Sequence, residues 1–386
     1  MTALGLSLLD LQEQVWDAII LGAGPAGSMA AHQLARFGAR TLLIERKCFP
    51  RTKVCGSCLN MRALEAIKSL ALGDLGGTRL QELEVRYSGR RARLPLPGGM
   101  ALSRHRFDAA LARTAVTAGA VFLQETEGLI GPVEAQTRQV VLARKGRRVT
   151  VRARVVLIAT GLGQVRFDGE EAVHSQPLAG SRFGAGCQIA MVPEMDRQGT
   201  IFMAVGQRGY VGFVELENGE LNVAAAFEKS LLRTAGSPAA AASQILQESG
   251  FGAIPELRVA RWRGTIPLSR RTDPLAGERF FVLGDASGYI EPFTGEGMAW
   301  ALEAGLDVAP LAIRAVDRWD PSLTLAWTTL QKRRIARDQH LCRGVTSLLR
   351  RPWLTRVALE MASRMPAVAR FMIDRVNTVS PTRQPS

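Results

Sequence analysis

The chain contains 386 residues, 47% of them hydrophobic and 22% charged, a composition that excludes a disordered or fibrous chain and suits one large or two modest domains. The net charge of +14 is spread along the sequence without a nucleic-acid-binding motif, so we expect no nucleic-acid partner. No apolar run reaches the roughly 18 residues of a membrane span, and the first residues lack the basic start of a signal peptide. We therefore expect a cytoplasmic protein, with contact at a membrane surface left open.

The first predicted elements lie in WDAIILGAGPAGSMAAHQLARFGARTLLIERK, residues 16–47. Short apolar runs at 18–21 and 41–44 predict buried strands, and the segment between 25 and 37 has helical character. The whole segment predicts a strand, a helix and a second strand.

Glycines at the first turn of this segment are typical of dinucleotide-binding domains. Gly22, Gly24 and Gly27 complete a G-x-G-x-x-G pattern between strand and helix, and Glu45 ends the second strand. The glycines permit a tight turn, close approach of a pyrophosphate and close helix–strand packing, while the acid accepts a hydrogen bond from a ribose hydroxyl. We predict a dinucleotide site with its phosphates at the helix N-terminus.

The stretch KVCGSCL, residues 53–59, places Cys55 and Cys58 two residues apart, a spacing that fits a redox pair, half of a metal site or the wall of another site. We predict no metal, because the chain has four histidines and five cysteines and no second cysteine pair to complete a zinc site. Glutathione-reductase-like enzymes space their redox cysteines as C-x-x-x-x-C and carry a second glycine fingerprint, which residues 152–167 lack. Disulfide chemistry is therefore a minor alternative, and reduced thiols are expected.

Two segments in the middle of the chain add a basic residue and a sheet. Residues 102–122 begin a predicted helix at Arg104, which is either a surface residue or a phosphate ligand. Residues 181–228 have the texture of strands, with Asn218-Gly219 as hairpin turn residues. Their apolar side chains would line a hydrophobic pocket or fill a core.

The last third of the chain carries a second glycine-rich loop and an amphipathic tail. Residues 280–305, FFVLGDASGYIEPFTGEGMAWALEAG, predict a buried strand, an acid after it and a glycine-rich loop that opens a helix. A domain that binds only NAD does not need this second site. Residues 341–377 alternate apolar residues and arginines in a pattern that predicts amphipathic helix broken at Pro352 and Pro366. This tail packs on the rest of the chain or rests on an anionic membrane; packing is the preferred interpretation, and one helix can do both.

The two glycine-rich segments together resemble the FAD-binding domain of the para-hydroxybenzoate hydroxylase fold. The resemblance implies noncovalent FAD, with Gly284-Asp285 at its ribitol or pyrophosphate region and PFTGEGM, residues 292–298, at the pyrimidine edge of the flavin. A helix N-terminus there would stabilise the negative charge of reduced flavin. The helix start R-x-x-F-D of the same fold implies that Arg104 is a phosphate ligand.

The segment FPRTKVCGSCLNMRAL, residues 49–64, resembles the geranylgeranyl reductase family, which hydrogenates isolated double bonds of polyprenyl chains. The resemblance implies that Cys55 and Gly56 lie beside the isoalloxazine ring as the catalytic residues. Cys58 is outside the family motif, so the C-x-x-C spacing is interpreted as incidental.

Two departures from related flavoproteins bear on the reaction. The W-x-W-x-I-P motif of flavin-dependent halogenases does not occur, and the corresponding stretch is GYVGFVE, so halogenation is a minor alternative. Thr160 stands where aromatic hydroxylases carry the acid of a D-G motif that engages FAD and NAD(P)H. NADPH or NADH is the expected electron donor, with free reduced flavin or another donor as alternatives.

The predicted fold class is α/β with an α+β substrate part: a Rossmann-type FAD-binding domain, an inserted β-sheet substrate domain and a helical C-terminal tail. The FAD domain is assigned to 1–180 and 270–320, with 81–100 contributing to the substrate sheet, the substrate domain to 181–269 and the helical region to 321–386.

The expected function is reduction of carbon–carbon double bonds in a hydrophobic small-molecule or lipid-like substrate by reduced flavin. The alternative is a flavin-dependent monooxygenase that hydroxylates a polyketide, phenol or quinone precursor. No oligomeric state is predicted. The predicted FAD-binding residues are Gly22, Gly24, Pro25, Ala26, Gly27, Glu45, Arg46, Lys53, Arg104, Gly284, Asp285, Pro292, Gly295, Glu296, Gly297 and Met298.

Overall fold

The computed structural model describes residues 8, 10–169, 171–195, 197–291, 293, 295–349 and 351–364. In chain order the strands are β1 (Val15–Leu21), β2 (Thr41–Ile44), β3 (Cys58–Leu59), β4 (Thr78–Arg79), β5 (Glu82–Tyr87), β6 (Arg90–Pro95), β7 (Met100–Ala101), β8 (Val121–Leu123), β9 (Glu127–Glu134), β10 (Thr137–Arg144), β11 (Arg147–Ile158), β12 (Arg166–Phe167), β13 (His174–Pro177), β14 (Phe183–Ile189), β15 (Thr200–Gly206), β16 (Gly209–Glu215), β17 (Leu221–Phe227), β18 (Arg263–Pro267), β19 (Arg270–Asp273), β20 (Ala276–Gly277), β21 (Phe280–Val282) and β22 (Gly288–Tyr289).

The α-helices are α1 (Pro25–Arg36), α2 (Met61–Ile67), α3 (Arg104–Thr117), α4 (Lys229–Ala235), α5 (Pro238–Ser249), α6 (Glu256–Val259), α7 (Gly297–Asp317), α8 (Ser322–Leu349) and α9 (Pro352–Arg364). Short 3-10 helices occupy Pro193–Met195 and Gly284–Ser287. The α/β class predicted from the sequence is confirmed by this succession of elements.

The larger sheet has a parallel centre. Strands β8, β2, β1, β11 and β21 lie side by side in parallel, with Ala18 of β1 opposite Thr41 on one side and Val155 on the other. Strands β9, β10 and the first part of β11 form an antiparallel meander beside them. The parallel strands read as continuous apolar runs because α1 and α7 cover one face and the meander packs against the other.

The smaller sheet contains, among the described residues, seven strands in the order β18-β14-β17-β16-β15-β5-β6. Neighbours are antiparallel except for β15 and β5, which run parallel. Asn218 and Gly219 lie in the loop of the β16–β17 hairpin. Helix α5 covers one face through Ile245 and Leu246, and the other face carries an apolar cluster that includes Leu359 of α9.

The C-terminal helices bring the chain back over both sheets. Trp327 of α8 is buried beside Phe281 of β21, with its indole N–H donating to the Val282 carbonyl at 3.0 Å. Helix α8 ends at Leu349 and α9 begins at Pro352, so the predicted helix break occurs there, whereas the one at Pro366 lies outside the described residues. Among the helices that the structure describes, none combines the length and apolarity needed to span a bilayer.

Candidate active site

Two connected cavities open beside the carboxyl ends of β1, β2 and β11. The larger, which we call the outer groove, has a volume of ≈ 870 Å³ and is lined by Gly22, Gly24 and Glu45 among others. The smaller, the inner cavity, has a volume of ≈ 450 Å³ and reaches Cys55 and Cys58. Residues that line both are Arg46, Thr52, Lys53, Thr160, Leu162, Gly163 and Ile266. The position is the one at which open α/β sheets bind ligands.

The glycine turn at the start of α1 leaves no room for side chains. Gly22 has φ +108°, and a Cβ there would lie 2.5 Å from the Ala159 carbonyl oxygen. A Cβ on Gly27 would lie 1.9 Å from the Gly22 carbonyl oxygen. Gly24 is the N-cap residue of α1 and has no side chain to cover the first-turn N–H groups, which remain available to an anion in the outer groove.

Two arginines flank Gly24. A Cβ placed on Gly24 would lie 3.6 Å from Arg51 Nη2 and 3.9 Å from Arg104 Nη2, so both guanidinium groups face the N-terminus of α1. Asp108 holds them: Arg104 donates from Nε and Nη2 to its two oxygens at 2.8 Å each, and Arg51 Nη1 lies 3.0 Å from Oδ2. Guanidinium groups at a helix N-terminus form a site suited to phosphate groups.

The charge of the Arg104 guanidinium is secured by its neighbours. Burial lowers its pKa, but Asp108 and Cys55 outweigh this effect and raise the pKa above the ordinary value. Arg51 was not among the predicted site residues, although it lies in the quoted FPRTK stretch. A basic residue six positions after the acid that ends β2 was the available signal.

Glu45 is placed to receive hydrogen bonds in the outer groove. Its carboxylate accepts from the backbone N–H groups of Ala23 at 3.3 Å and Lys47 at 3.0 Å, and Oε2 lies 3.4 Å from Arg51 Nε. These contacts hold the side chain at the end of β2 and leave lone pairs for a ribose hydroxyl.

A second charged pair lies where the two cavities meet. Lys53 Nζ is 3.5 Å from Asp285 Oδ2, and both side chains line the inner cavity. Gly161, with φ +66°, passes so close that a Cβ there would lie 2.9 Å from Lys53 Nζ. Arg46 extends along both cavities. Polar groups thus continue from the outer groove to the mouth of the inner cavity.

The KVCGSCL segment forms one wall of the inner cavity. The Cys55 carbonyl oxygen accepts from Asn222 Nδ2 of β17 at 2.9 Å, and the Ser57 carbonyl accepts from Leu102 N at 2.9 Å. Ser57 itself has φ +58°, a left-handed conformation that non-glycine residues rarely adopt. The segment is therefore held from the smaller sheet on one side and from Leu102, two residues before α3, on the other.

The two cysteines of this wall are free thiols in different surroundings. The Cys58 thiol donates to the Gly56 carbonyl at 3.2 Å, and Cys55 Sγ accepts from Ser57 N at 3.4 Å. Burial, with a smaller contribution from the charge of Cys55, raises the pKa of Cys58 to about 12. Because a thiolate is the reactive form, Cys58 is poorly suited to disulfide exchange near neutral pH.

The N-terminus of α7 forms a further part of the wall beside this segment, because a Cβ on Gly295 would lie 3.8 Å from Cys58 Cβ. Gly295, Gly297 and Met298 line the inner cavity, and Gly295 has φ +78°. Glu296 behaves differently from its neighbours, because its side chain is buried, accepts from the Cys342 thiol at 2.9 Å and lies 3.8 Å from Arg62 Nη1. The backbone of Glu296 is thus at the site, but its carboxylate lies in a buried cluster. Pro292 lies outside the described residues.

The remaining predicted residues divide between the cavity wall and the layer behind it. Pro25 lines the inner cavity. Ala26 and Gly27 are buried in α1, and a Cβ on Gly284 would lie 2.9 Å from Ala26 Cβ. Ala26 and Gly284 allow α1 and the Gly284–Ser287 turn to approach each other, which places Asp285 at the cavity, whereas Gly27 packs against Gly22 and Ala159.

A buried polar cluster that sequence reasoning missed adjoins the inner cavity. Arg182 Nη1 lies 3.1 Å from Glu291 Oε1, and each side chain is 1% exposed. Glu291 Oε2 is buried without a hydrogen-bond partner among the described residues. Burial raises the pKa of Tyr210 and of Tyr289, with Glu291 contributing to both shifts, so both phenols stay protonated over the ordinary pH range. Tyr289 lines the inner cavity.

These features fit FAD. A glycine cradle with a free helix N-terminus, two guanidinium groups and an acid suit an adenosine pyrophosphate, and an adjoining, largely apolar cavity suits a flavin ring. Among the described residues, no group of three or more histidine, cysteine or carboxylate side chains could hold a metal ion.

Comparison with known sequences gives related enzymes. The family model "Lycopene cyclase protein" matches residues 17–195. A menaquinone reductase from Mycolicibacterium smegmatis is 28% identical over 384 residues, covering 92% of this chain and 91% of the relative. A digeranylgeranylglycerophospholipid reductase from Thermoplasma volcanium is 24% identical over 345 residues, covering 85% of this chain and 86% of the relative.

Comparison with solved structures gives the same fold. A flavoprotein/dehydrogenase from Cytophaga hutchinsonii superposes with a TM-score of 0.74 at 18% identity, covering 94% of this chain and 93% of the other. The halogenase PltM, in a structure with phloroglucinol and FAD, superposes with a TM-score of 0.72 at 16% identity, covering 94% of this chain and 83% of the other.

The predicted Rossmann-type flavoprotein fold is therefore confirmed, and so is the resemblance to geranylgeranyl reductases stated from residues 49–64. Cradle, cavities and relatives agree on the class of enzyme: the chain is a geranylgeranyl-reductase-like, FAD-dependent oxidoreductase.

Proposed function

We propose that the protein reduces carbon–carbon double bonds in the isoprenoid chain of a hydrophobic, lipid-like substrate, using FAD that is reduced by NADPH or NADH. The observation that carries the proposal is the position of Cys55 and Gly56 on a fixed wall of the inner cavity, which the N-terminus of α7 also lines. The names of the sequence relatives, a menaquinone reductase and digeranylgeranylglycerophospholipid reductases, support reduction as the reaction class.

FAD bound in the two cavities would supply hydride chemistry. The N-terminus of α1 with Arg51 and Arg104 would bind its phosphates, and Glu45 would accept from its ribose. Lys53 and Asp285 would fix the part between phosphates and ring. The N-terminus of α7, a helix of 21 residues, would favour negative charge at the edge of the ring that it faces.

The inner cavity suits a hydrocarbon substrate. Val54, Ile266, Leu268 and Met298 contribute apolar surface, and an isolated double bond offers no polar group for recognition. Packing against these side chains would therefore orient the substrate and exclude water. Cys55 lies on the same wall, next to the Arg104 guanidinium, where it can contact the substrate or the ring.

The test begins with FAD-loaded protein reduced without oxygen, by NADPH, NADH or dithionite in separate samples. Menaquinone and a geranylgeranyl lipid are then added in detergent, and flavin reoxidation and the mass of the lipid are followed. We expect reoxidation coupled to the gain of two hydrogens for each double bond. Which nicotinamide reduces the flavin identifies the donor.

The outcome that contradicts the proposal is equally specific. If neither lipid reoxidises the flavin, while isotopically heavy oxygen is incorporated into a phenol or quinone precursor, the protein is a monooxygenase. Protein freed of FAD, assayed with the same lipids, is the control for flavin-independent change.

A further inference from the structure

Helix α9 exposes an apolar stripe. Trp353, Val357 and Met361 are spaced four residues apart and are 65%, 49% and 48% exposed. Thr355 and Leu359 are buried, at 0% and 7%. Because successive residues turn by about 100° around a helix, each buried residue lies about 200° from the stripe residue two positions further on. The stripe thus lies on the side of α9 opposite its packed face, where a surface helix normally carries polar residues.

Arginines surround this stripe. Arg351, Arg356 and Arg364 are exposed, and Arg90 of β6 reaches Glu360 of α9 at 2.7 Å. Glu360 also pairs with Arg364, at 2.7 Å. Arg90, Arg351, Arg356 and Arg364 therefore accompany Glu360, the one carboxylate within α9 as described, in a chain with net charge +14. This combination is typical of helices that lie on anionic bilayers.

The packed side of α9 joins the apolar interior that borders the inner cavity. Leu359 and Ala362 belong to a cluster that also contains Tyr210, Phe293 and Leu268. Leu268 is at the same time a wall residue of the inner cavity. Apolar side chains therefore connect the exposed helix with the cavity, and the buried Arg182–Glu291 pair lies beside Tyr210 of this cluster.

We propose that α9 docks this enzyme on the surface of a bilayer that contains anionic lipid. Trp353, Val357 and Met361 enter the headgroup region, and the surrounding arginines bind lipid phosphates. Docking itself is independent of the reaction. Delivery of a membrane lipid to the inner cavity from this side rests on the proposed function.

The test is flotation of full-length, FAD-loaded protein with vesicles of phosphatidylcholine alone or of phosphatidylcholine and phosphatidylglycerol. We expect binding to the mixed vesicles and a loss of at least about tenfold in the double variant Val357→Asp/Met361→Asp. Leu325→Asp is the matched control, because Leu325 is 69% exposed on α8, outside the stripe, and its replacement leaves binding unchanged. Arg356→Ala lowers binding to the mixed vesicles about fivefold.

A second measurement uses the wild-type chain and one conservative single variant in place of the double variant. Brominated lipid in the vesicles quenches tryptophan emission, and the quenching disappears in Trp353→Phe. Equal flotation of the double variant and wild type, or absence of quenching, overturns the proposal. A wild-type protein that does not bind vesicles but forms a dimer, with the dimer lost in the double variant, would assign the stripe to contact with a second copy of the chain. That result would also overturn the proposal. Flotation requires no turnover, so its failure is distinct from failure of the lipid-reduction assay.

Discussion

The outer groove and the inner cavity differ in the kind of side chain that dominates their surfaces. The outer groove is a charged cradle in which Arg51 and Glu45 lie beside the N-terminus of α1, and Arg104 flanks the same N-terminus from the inner cavity. The inner cavity also carries charged side chains, among them Lys53, Asp285 and Arg104, but most of its surface is apolar and it includes the KVCGSCL backbone. Binding of the cofactor and handling of the substrate should therefore respond to different substitutions.

Among the substitutions considered, Gly24→Val should have the largest effect on FAD affinity while leaving folding intact. A Cβ at Gly24 meets no atom closer than 3.6 Å, so the chain should fold, but the branched side chain would fill the space between the two arginines. We expect FAD affinity to fall by about 100-fold or more, measured by fluorescence titration of protein freed of FAD. A variant that purifies fully flavinated would contradict the assignment of the loop. Gly27→Ala is the contrasting change, because its Cβ clashes with Gly22 and should impair folding.

Arg104→Ala should weaken the cradle and the fold together. Asp108 is fully buried and, among the described residues, would keep Arg51 as its remaining ionic partner, so the loss of stability should stay below the roughly 3–5 kcal/mol that an unpaired buried charge costs. Arg51→Ala removes a phosphate-facing guanidinium but leaves the bidentate Arg104–Asp108 pair. We expect it to lower FAD affinity by about tenfold with a smaller loss of stability. Calorimetric melting and FAD titration of both variants check this order.

Cys55→Ser and Cys58→Ser test the wall of the inner cavity while the glycines and charged residues of the cradle stay in place. Both variants should retain FAD. We expect Cys55→Ser to lower turnover by about tenfold or more and Cys58→Ser to leave it nearly unchanged, as single-turnover reoxidation by the lipid substrate would show. Equal loss in both variants would instead indicate a coupled redox pair.

Asn222→Ala should have a smaller effect on turnover. It removes a hydrogen bond of 2.9 Å to the Cys55 carbonyl, a contribution of about 1 kcal/mol, and loosens the wall without touching the cradle. We expect turnover to fall severalfold while FAD affinity stays the same. Asn218→Ala, in the loop of the same hairpin, is the control and should be silent in both assays.

The smallest effect that we expect concerns the rate at which the Cys58 thiol is alkylated. Because burial raises its pKa to about 12, the thiolate fraction at any lower pH grows tenfold with each pH unit. In a Cys48→Ser/Cys55→Ser background, the rate of Cys58 modification by iodoacetamide should rise steadily from pH 7 to about 10. A plateau near pH 8 to 9, checked by peptide mass spectrometry, would show an ordinary thiol.

The cradle was more accessible to sequence reasoning than the cavity because its pattern is local. Gly22, Gly24, Gly27 and Glu45 lie within one strand–helix–strand unit, and their spacing predicted its turn. The Asn222–Cys55 contact joins residues 167 positions apart, and the Arg182–Glu291 pair joins residues 109 positions apart. Such pairs depend on how the smaller sheet packs against the other elements that surround the inner cavity. No local sequence pattern encodes that packing.

Glu296 illustrates the remaining limit of a motif. The glycine-rich loop predicted where the backbone of residues 295–298 would lie, and Gly297 and Met298 are at the cavity. The direction of the Glu296 side chain depends on Arg62 of α2 and Cys342 of α8, which are distant in sequence. A spacing pattern specifies backbone position, whereas side-chain direction follows from the partners that tertiary packing supplies.

The double attachment of the KVCGSCL segment offers a route to redesign. Its Cys55 and Ser57 carbonyl groups accept hydrogen bonds from Asn222 and Leu102. Val54, Ile266 and Leu268 contribute to the cavity surface but take no part in these hydrogen bonds. The proposed reaction at Cys55 and the range of accepted substrates would thereby depend on different residues of the inner cavity. A library that varies only those three apolar positions should change which hydrocarbon chains are accepted, while the geometry around Cys55 stays unchanged.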